Sequence, residues 1–117
     1  MKNQMVNLEQ LVLDALEDLK GQSLLSCDVQ KLTSITDTMI FCTGTSNRHV
    51  KSLANHVVMK AKAAQYPPLS VEGEREGEWI LIDLGHVVVH IMLPKVRTFY
   101  NLEKIWDPNF TANTTDQ

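Results

Sequence analysis

The chain has 117 residues, of which 44% are hydrophobic, and a formal net charge of −3. This length and composition fit one domain with its own core, and we expect it to span residues 1–110, followed by a disordered polar tail over residues 111–117. The acidic balance argues against a protein that mainly coats phosphate backbones. We therefore expect little or no direct nucleic-acid binding and a basic protein partner.

Neither a signal peptide nor a membrane span is predicted. The first ten residues lack a continuous apolar core, and no apolar run approaches the roughly 20 residues that a span needs. Cys27 and Cys42 lie in apolar stretches without CxxC spacing, which favours buried reduced thiols over a disulfide. These features predict a cytoplasmic protein that does not contact membranes.

In the first half of the chain, a helix, two strands and a second helix are predicted. Apolar residues recur with helical spacing from Asn7 to Leu19, with Asn7 as the N-cap and Gly21 as a left-handed residue beyond the end. Residues 23–29 and 38–43 have strand composition. The turn at Gly44 then leads into a helix that runs to about Gln65, where Tyr66-Pro67-Pro68 stops it.

In the second half, residues 69–71 predict a short edge strand, and residues 79–83 and 87–93 predict an antiparallel hairpin with Gly85 at positive φ. Both hairpin strands are apolar at consecutive positions, which indicates that both faces of the sheet are covered. Pro94 opens a third helix that reaches Trp106. The order predicts an α/β (α+β) fold with a mixed β-sheet of about five strands flanked by helices.

The turn from Thr43 to Arg48 has two interpretations. Its hydroxyls and amides could cap the second helix, or the helix N-terminus could bind a phosphate. The turn lacks both the GxGxxG glycines and the GxxxxGK[ST] lysine, and no paired carboxylates follow for magnesium. Helix capping is therefore favoured, with a nucleotide-binding or nucleotidyltransferase-type enzyme as the alternative.

The four histidines do not form a metal motif. His49 and His56 are seven residues apart on a helix, and His86 and His90 are four apart on a strand, so neither pair can chelate one ion. We expect His90 to be a satisfied histidine of the sheet. No catalytic residue, cofactor site or metal site is predicted.

Two features suggest a protein-binding surface. On an unbroken helix from Val96 to Trp106, apolar side chains would span roughly 220°, more than one core contact needs, and Glu103 would lie within that arc. The same aromatic residues could instead close the end of the sheet. The glutamates between Glu72 and Glu78 are either a solvated loop or an acidic rim that steers a basic partner.

The chain resembles the ribosomal silencing factors, also called Iojap-like proteins. The resemblance extends from the first helix to Trp106, and its specificity lies in the order and spacing of several short motifs: Asp28-Val29, Thr36-Asp37, Thr43-Gly44-Thr45-Ser46-Asn47-Arg48-His49-Val50, Glu72-Gly73, Trp79 with Leu81 and Asp83, Gly85, Val87-Val88-Val89-His90, Arg97, Tyr100, Leu102-Glu103 and Trp106. Thr38 and Gly21-Gln22 depart from residues that are common in relatives.

The resemblance implies a nucleotidyltransferase-like fold that is catalytically inactive. It also implies a repressor that binds the large ribosomal subunit through ribosomal protein L fourteen and blocks joining of the small subunit during nutrient shortage. Eight partner-binding residues follow as expectations: Trp79, Asp83, Leu84, Arg97, Tyr100, Glu103, Trp106 and Glu72. A homodimer of the free protein is a further expectation, and the lack of a targeting extension favours a bacterial cytoplasmic protein.

Overall fold

The computed structural model describes residues 7–101. Three helices and five strands follow one another in the predicted order α-β-β-α-β-β-β-α: α1 Leu8–Asp18, β1 Gln22–Asp28, β2 Thr38–Thr43, α2 Asn47–Ala63, β3 Ser70–Glu72, β4 Trp79–Asp83, β5 Val87–Met92 and α3 Pro94–Tyr100. The predicted α+β class is confirmed. The nucleotidyltransferase-like detail, the single domain over residues 1–110 and the tail at 111–117 stay predictions.

The end of α1 differs from the prediction. Asn7 caps the helix as expected, since its side chain accepts a hydrogen bond from the Gln10 amide. The left-handed residue beyond the helix is Lys20, at φ 62°, and not Gly21. A Cβ on Gly21 would lie 2.5 Å from the Cys42 Sγ, so this glycine lets the chain pass close to β2.

The five strands form one mixed sheet in the order β1-β2-β5-β4-β3. The central pair, β2 and β5, is parallel, and the other neighbours are antiparallel. The short strand β3 lies at one edge, as predicted. The β4–β5 hairpin also matches its prediction, with Gly85 at φ 89° in the turn.

Helices α1 and α2 pack on each other and on one face of the sheet, the first face. The buried residues of α2, at Val50, Leu53, Ala54, Val57 and Ala61, recur with helical spacing and meet Ile80 and Ile82 of β4. Both cysteines are buried free thiols, as predicted. Burial raises the pKa of the Cys42 thiol to about 11.

The prediction that both faces of β4 are covered is wrong. All six residues of β5 are buried, whereas β4 alternates between buried residues on the first face and half-buried residues on the other. Helices α1 and α2 shield only one side of the sheet, so Trp79, Leu81 and Asp83 keep partial contact with solvent.

The third helix is shorter than predicted. Pro94 occupies its first turn, as expected, but the helix ends at Tyr100 and Asn101 adopts the left-handed conformation at φ 51°. The arc of roughly 220° assumed an unbroken helix from Val96 to Trp106, so that calculation does not hold. Within residues 7–101, every helix is too short or too polar to cross a membrane.

Candidate partner-binding surface

The sheet side opposite α1 and α2, called here the second face, presents rows of side chains from neighbouring strands. The register aligns one row across all five strands, consisting of Leu25, Phe41, His90, Leu81 and Glu72. Phe41 and His90 are buried at its centre, Leu81 is half-buried and Glu72 is exposed. The row therefore becomes more accessible and ends on a carboxylate towards the β3 edge.

Trp79 lies one row away on the second face and is held by a buried histidine. Its indole Nε1 donates a hydrogen bond of 3.1 Å to the Nδ1 of His90. On its other side the His90 ring stacks on Phe41, with centroids 5.1 Å apart and planes within 13°. The indole thus has a fixed orientation, although Trp79 itself is only half-buried.

His90 is a buried histidine of the sheet, as predicted, and its Nδ1 has a hydrogen-bond partner. It is 5% exposed, and burial lowers its pKa to about 4. Its Nδ1 accepts the hydrogen bond from Trp79, which requires that nitrogen to be unprotonated. The hydrogen bond between His90 and Trp79 was not predicted. The predicted hairpin did, however, pair the strand of Trp79 with the strand of His90.

Three other predicted site residues lie around the β4 strand. Asp83 ends β4 and accepts a hydrogen bond of 2.9 Å from the Gly85 amide, so it shapes the hairpin turn. Leu84 is 7% exposed and belongs to the main core. Glu72 is exposed opposite Leu81. Among these three, Glu72 is the side chain that offers its charged group to solvent.

Arg97 connects α3 to the edge of the sheet. Its guanidinium donates hydrogen bonds of 2.6 Å to the Ser23 carbonyl and 2.9 Å to the Thr43 hydroxyl. It borders a cleft of about 360 Å³ whose other lining residues are Gln22, Ser23, Thr43, Pro94, Thr98 and Asn101. Arg97 therefore positions α3 against β1 and β2.

The remaining predicted residues follow Arg97. Tyr100 is the last residue of α3, while Glu103 and Trp106 lie outside the described residues. Phe99, which the sequence analysis did not select as a site residue, is 78% exposed on α3. Among the described residues, the second face thus presents Trp79, Leu81 and Glu72, while Phe99 is exposed on α3.

The Gly44 turn has the geometry of a helix cap. Ser46 caps α2 by accepting from the His49 amide, and the Thr45 amide donates 2.9 Å to the His49 Nδ1. A Cβ on Gly44 would lie 2.6 Å from a Val50 methyl group. The amides of Thr45 and His49 are thus already engaged within the chain, which supports the capping interpretation over a phosphate site.

A mixed sheet with two helices on its first face and half-buried Trp79 and Leu81 on its second face places this chain in the α+β class. The family model described as "Ribosomal silencing factor during starvation" matches residues 2–117. The chain belongs to this family.

Individual relatives agree with that assignment. "Ribosomal silencing factor RsfS" of Chromobacterium violaceum is 48% identical over 99 residues, covering 85% of this chain and 81% of that protein. A crystal structure of a protein from Chromobacterium violaceum has a TM-score of 0.86 at 44% identity and covers 94% of both chains. "Mitochondrial assembly of ribosomal large subunit protein 1" of Mus musculus is 35% identical over 74 residues, which are 61% of this chain and 32% of that protein.

Proposed function

We propose that this protein is a cytoplasmic translational repressor that binds the large ribosomal subunit through ribosomal protein L fourteen and sterically blocks joining of the small subunit when nutrients are short. The observation that carries the proposal is the partly exposed second face around Trp79. The chain also belongs to a family that is described as a ribosomal silencing factor. The mouse relative is named for assembly of the large ribosomal subunit. Repression by occlusion requires no turnover and no cofactor.

The chemistry of the second face suits a basic protein partner. Trp79 is held in place by His90 before binding, so little side-chain entropy would be lost on docking. An oriented tryptophan beside a half-buried leucine has the composition of an interface hot spot. Glu72 adds negative charge at the β3 edge of this apolar centre, and the chain as a whole carries −3, which favours encounter with a cationic surface.

The predicted residues divide into two groups under this proposal. Trp79 and Glu72 would contact the partner, together with Tyr100, Glu103 and Trp106 from the C-terminal part. Asp83, Leu84 and Arg97 would support the surface through the hairpin turn, the core and the α3 attachment respectively. Leu81 joins the contact group because it is half-buried on the second face, and Phe99 joins it as an exposed aromatic residue of α3.

Binding can be tested with the double variant Glu72→Lys/Leu81→Lys. These residues face each other across β3 and β4, and lysine can keep its charged end in solvent. We expect at least a tenfold loss of co-sedimentation affinity for purified large subunits. The matched control is Glu17→Lys/Leu13→Lys, an exposed glutamate and a half-buried leucine one helical turn apart on α1. Equal binding by both variants would contradict the proposed surface.

The blocking mechanism needs a separate measurement. Large subunits are incubated with the protein before small subunits are added, and light scattering follows the formation of joined ribosomes. The wild-type protein should reduce joining in proportion to its occupancy. A photoreactive residue at position 81 should crosslink to ribosomal protein L fourteen; normal joining at full occupancy, or an adduct with a different protein, would refute that part of the proposal. Light scattering of the protein alone tests the expected homodimer.

A further inference from the structure

Helix α2 concentrates positive charge in an acidic protein. Its 17 residues contain Arg48, Lys51, Lys60 and Lys62 but no aspartate or glutamate. Because the whole chain carries −3, the residues outside α2 carry −7. The expectation of little nucleic-acid binding rested on the net charge of the chain, which hides this separation.

Most of these cations lie on one stripe of α2, called here the basic stripe. It consists of Arg48, Lys51, Ser52, Asn55, Met59 and Lys62, which fall within an arc of about 100° along about 21 Å of helix. All six residues are exposed, and the arc is opposite the buried residues of α2. Four of them, Arg48, Lys51, Ser52 and Asn55, line a shallow depression of about 410 Å³.

The cations of the basic stripe differ from Lys60 on the same helix. Lys60 borders the groove towards α1, where Asp14 and Asp18 supply negative charge. The ion pairs of residues 7–101 are His56 with Asp18 and His86 with Asp37, so Arg48 and Lys62 take part in neither. Lys51 borders a second depression together with Glu74, whereas the depression lined by Arg48 contains no aspartate or glutamate.

We infer that the basic stripe binds the phosphate backbone of RNA. Arginine and lysine neutralise phosphates, while the hydroxyl of Ser52 and the amide of Asn55 are donors of the kind that contact phosphate and sugar oxygens. The stripe has no aromatic anchor of the kind that dominates protein interfaces, and Met59 alone gives it too little apolar area to bury in a membrane. Its three cations, Arg48, Lys51 and Lys62, lie on one exposed side of a single helix, where they can contact phosphates of the same strand.

This inference rests on the proposed function for the source of the RNA, which is the large ribosomal subunit. The basic stripe and the second face lie on opposite sides of the sheet. A subunit that contacts both must hold the protein in a recess, with protein on one side and RNA on the other. The two contacts would then add to affinity independently, since the variants that remove them are far apart.

The test compares two double variants that each remove two positive charges. Arg48→Gln/Lys62→Gln alters the basic stripe, whereas Lys31→Gln/Lys60→Gln alters a loop residue and the α1-facing side of α2. Glutamine and lysine have similar helix propensities, so the fold should be retained. Each full-length variant is titrated with large subunits at several salt concentrations, and with a labelled RNA duplex at low salt.

We expect the basic-stripe variant to bind subunits at least tenfold more weakly at low salt, with a slope of log affinity against log salt that is smaller by about 1.5. The control variant should retain the wild-type slope. Equal slopes for both variants, with subunit binding intact, would overturn this inference and leave the proposed function standing. If the wild-type protein does not bind large subunits but binds the RNA duplex through the basic stripe, the proposed function alone is refuted. If it binds neither subunits nor duplex, both the proposed function and this inference are overturned.

A photoreactive residue at position 52 identifies the partner of the stripe directly. In the complex with large subunits, the adduct should shift on ribonuclease digestion, and mass spectrometry of the adduct should find no ribosomal protein. An adduct with an acidic protein surface would overturn the RNA assignment even if the slopes differ. If Glu72→Lys/Leu81→Lys binds large subunits normally while the adduct at position 52 is sensitive to ribonuclease, the RNA contact of the basic stripe stands and the proposed second-face site is refuted.

Discussion

Replacing His90 should remove a measurable part of the acid sensitivity of this protein. The folded-state pKa of His90 is about 4 because burial disfavours the imidazolium, while an unfolded histidine titrates near 6.5. Below pH 6.5 the unfolded chain therefore gains a proton that the folded chain excludes. The free energy of unfolding is unaffected by this group above pH 6.5 and falls as the pH drops from 6.5 towards 4.

The magnitude follows from the two pKa values. At about 1.4 kcal/mol per pH unit, the difference between 6.5 and about 4 corresponds to about 3 kcal/mol of stability lost by pH 4. The side chain is 5% exposed, so solvent screening reduces this figure little. His90→Asn keeps an acceptor near the Nδ1 position for the Trp79 indole but cannot titrate in this range.

Urea unfolding of the wild-type protein and His90→Asn at pH 7, 6, 5 and 4 measures the effect. The variant should be less stable at pH 7, because it loses the stacking on Phe41, but its stability should fall less steeply with acid. The difference between the two proteins should shrink by about 3 kcal/mol between pH 7 and pH 4. Parallel stability curves would show that His90 is not the group responsible and would refute the reasoning.

The other predictions concern the turns and the attachment of α3. Gly73→Ala should lower the free energy of unfolding by more than about 2 kcal/mol, because the residue is at φ 87° and its Cβ would lie 2.0 Å from the Trp79 carbonyl oxygen. Thermal unfolding should show a smaller loss of stability for Gly85→Ala. Gly85 has a similar φ, but the nearest atom to its added Cβ would be 3.8 Å away. Ser46→Ala should cost about 1 kcal/mol of the same quantity by removing the α2 cap, and an unchanged melting temperature would contradict that role. Arg97→Ala should loosen α3, seen as faster amide exchange in residues 96–100, whereas unaltered exchange would mean that its hydrogen bonds do not hold the helix.

The local elements were predictable from the sequence because their signals lie within a few residues of one another. Helical spacing identified α1 and α2, and Asn7 identified the α1 cap. The turn at Gly85 and the first turn at Pro94 were also assigned correctly, since a positive φ and a missing amide donor are properties of single residues. The resemblance through ordered short motifs identified the family that the comparisons show.

Contacts between distant segments decided the rest. Whether β4 is covered on both faces depends on where α2 packs, and an apolar run cannot show that. Gly21 is required by the approach of Cys42 from β2, while Lys20 takes the left-handed conformation next to it. The same holds for the candidate site: sequence singled out Trp79, but only pairing of β4 with β5 placed His90 against its indole nitrogen. The composition fixed the net charge, whereas the fold determined that the cations of α2 form one exposed stripe, because burial selects which helical face meets solvent.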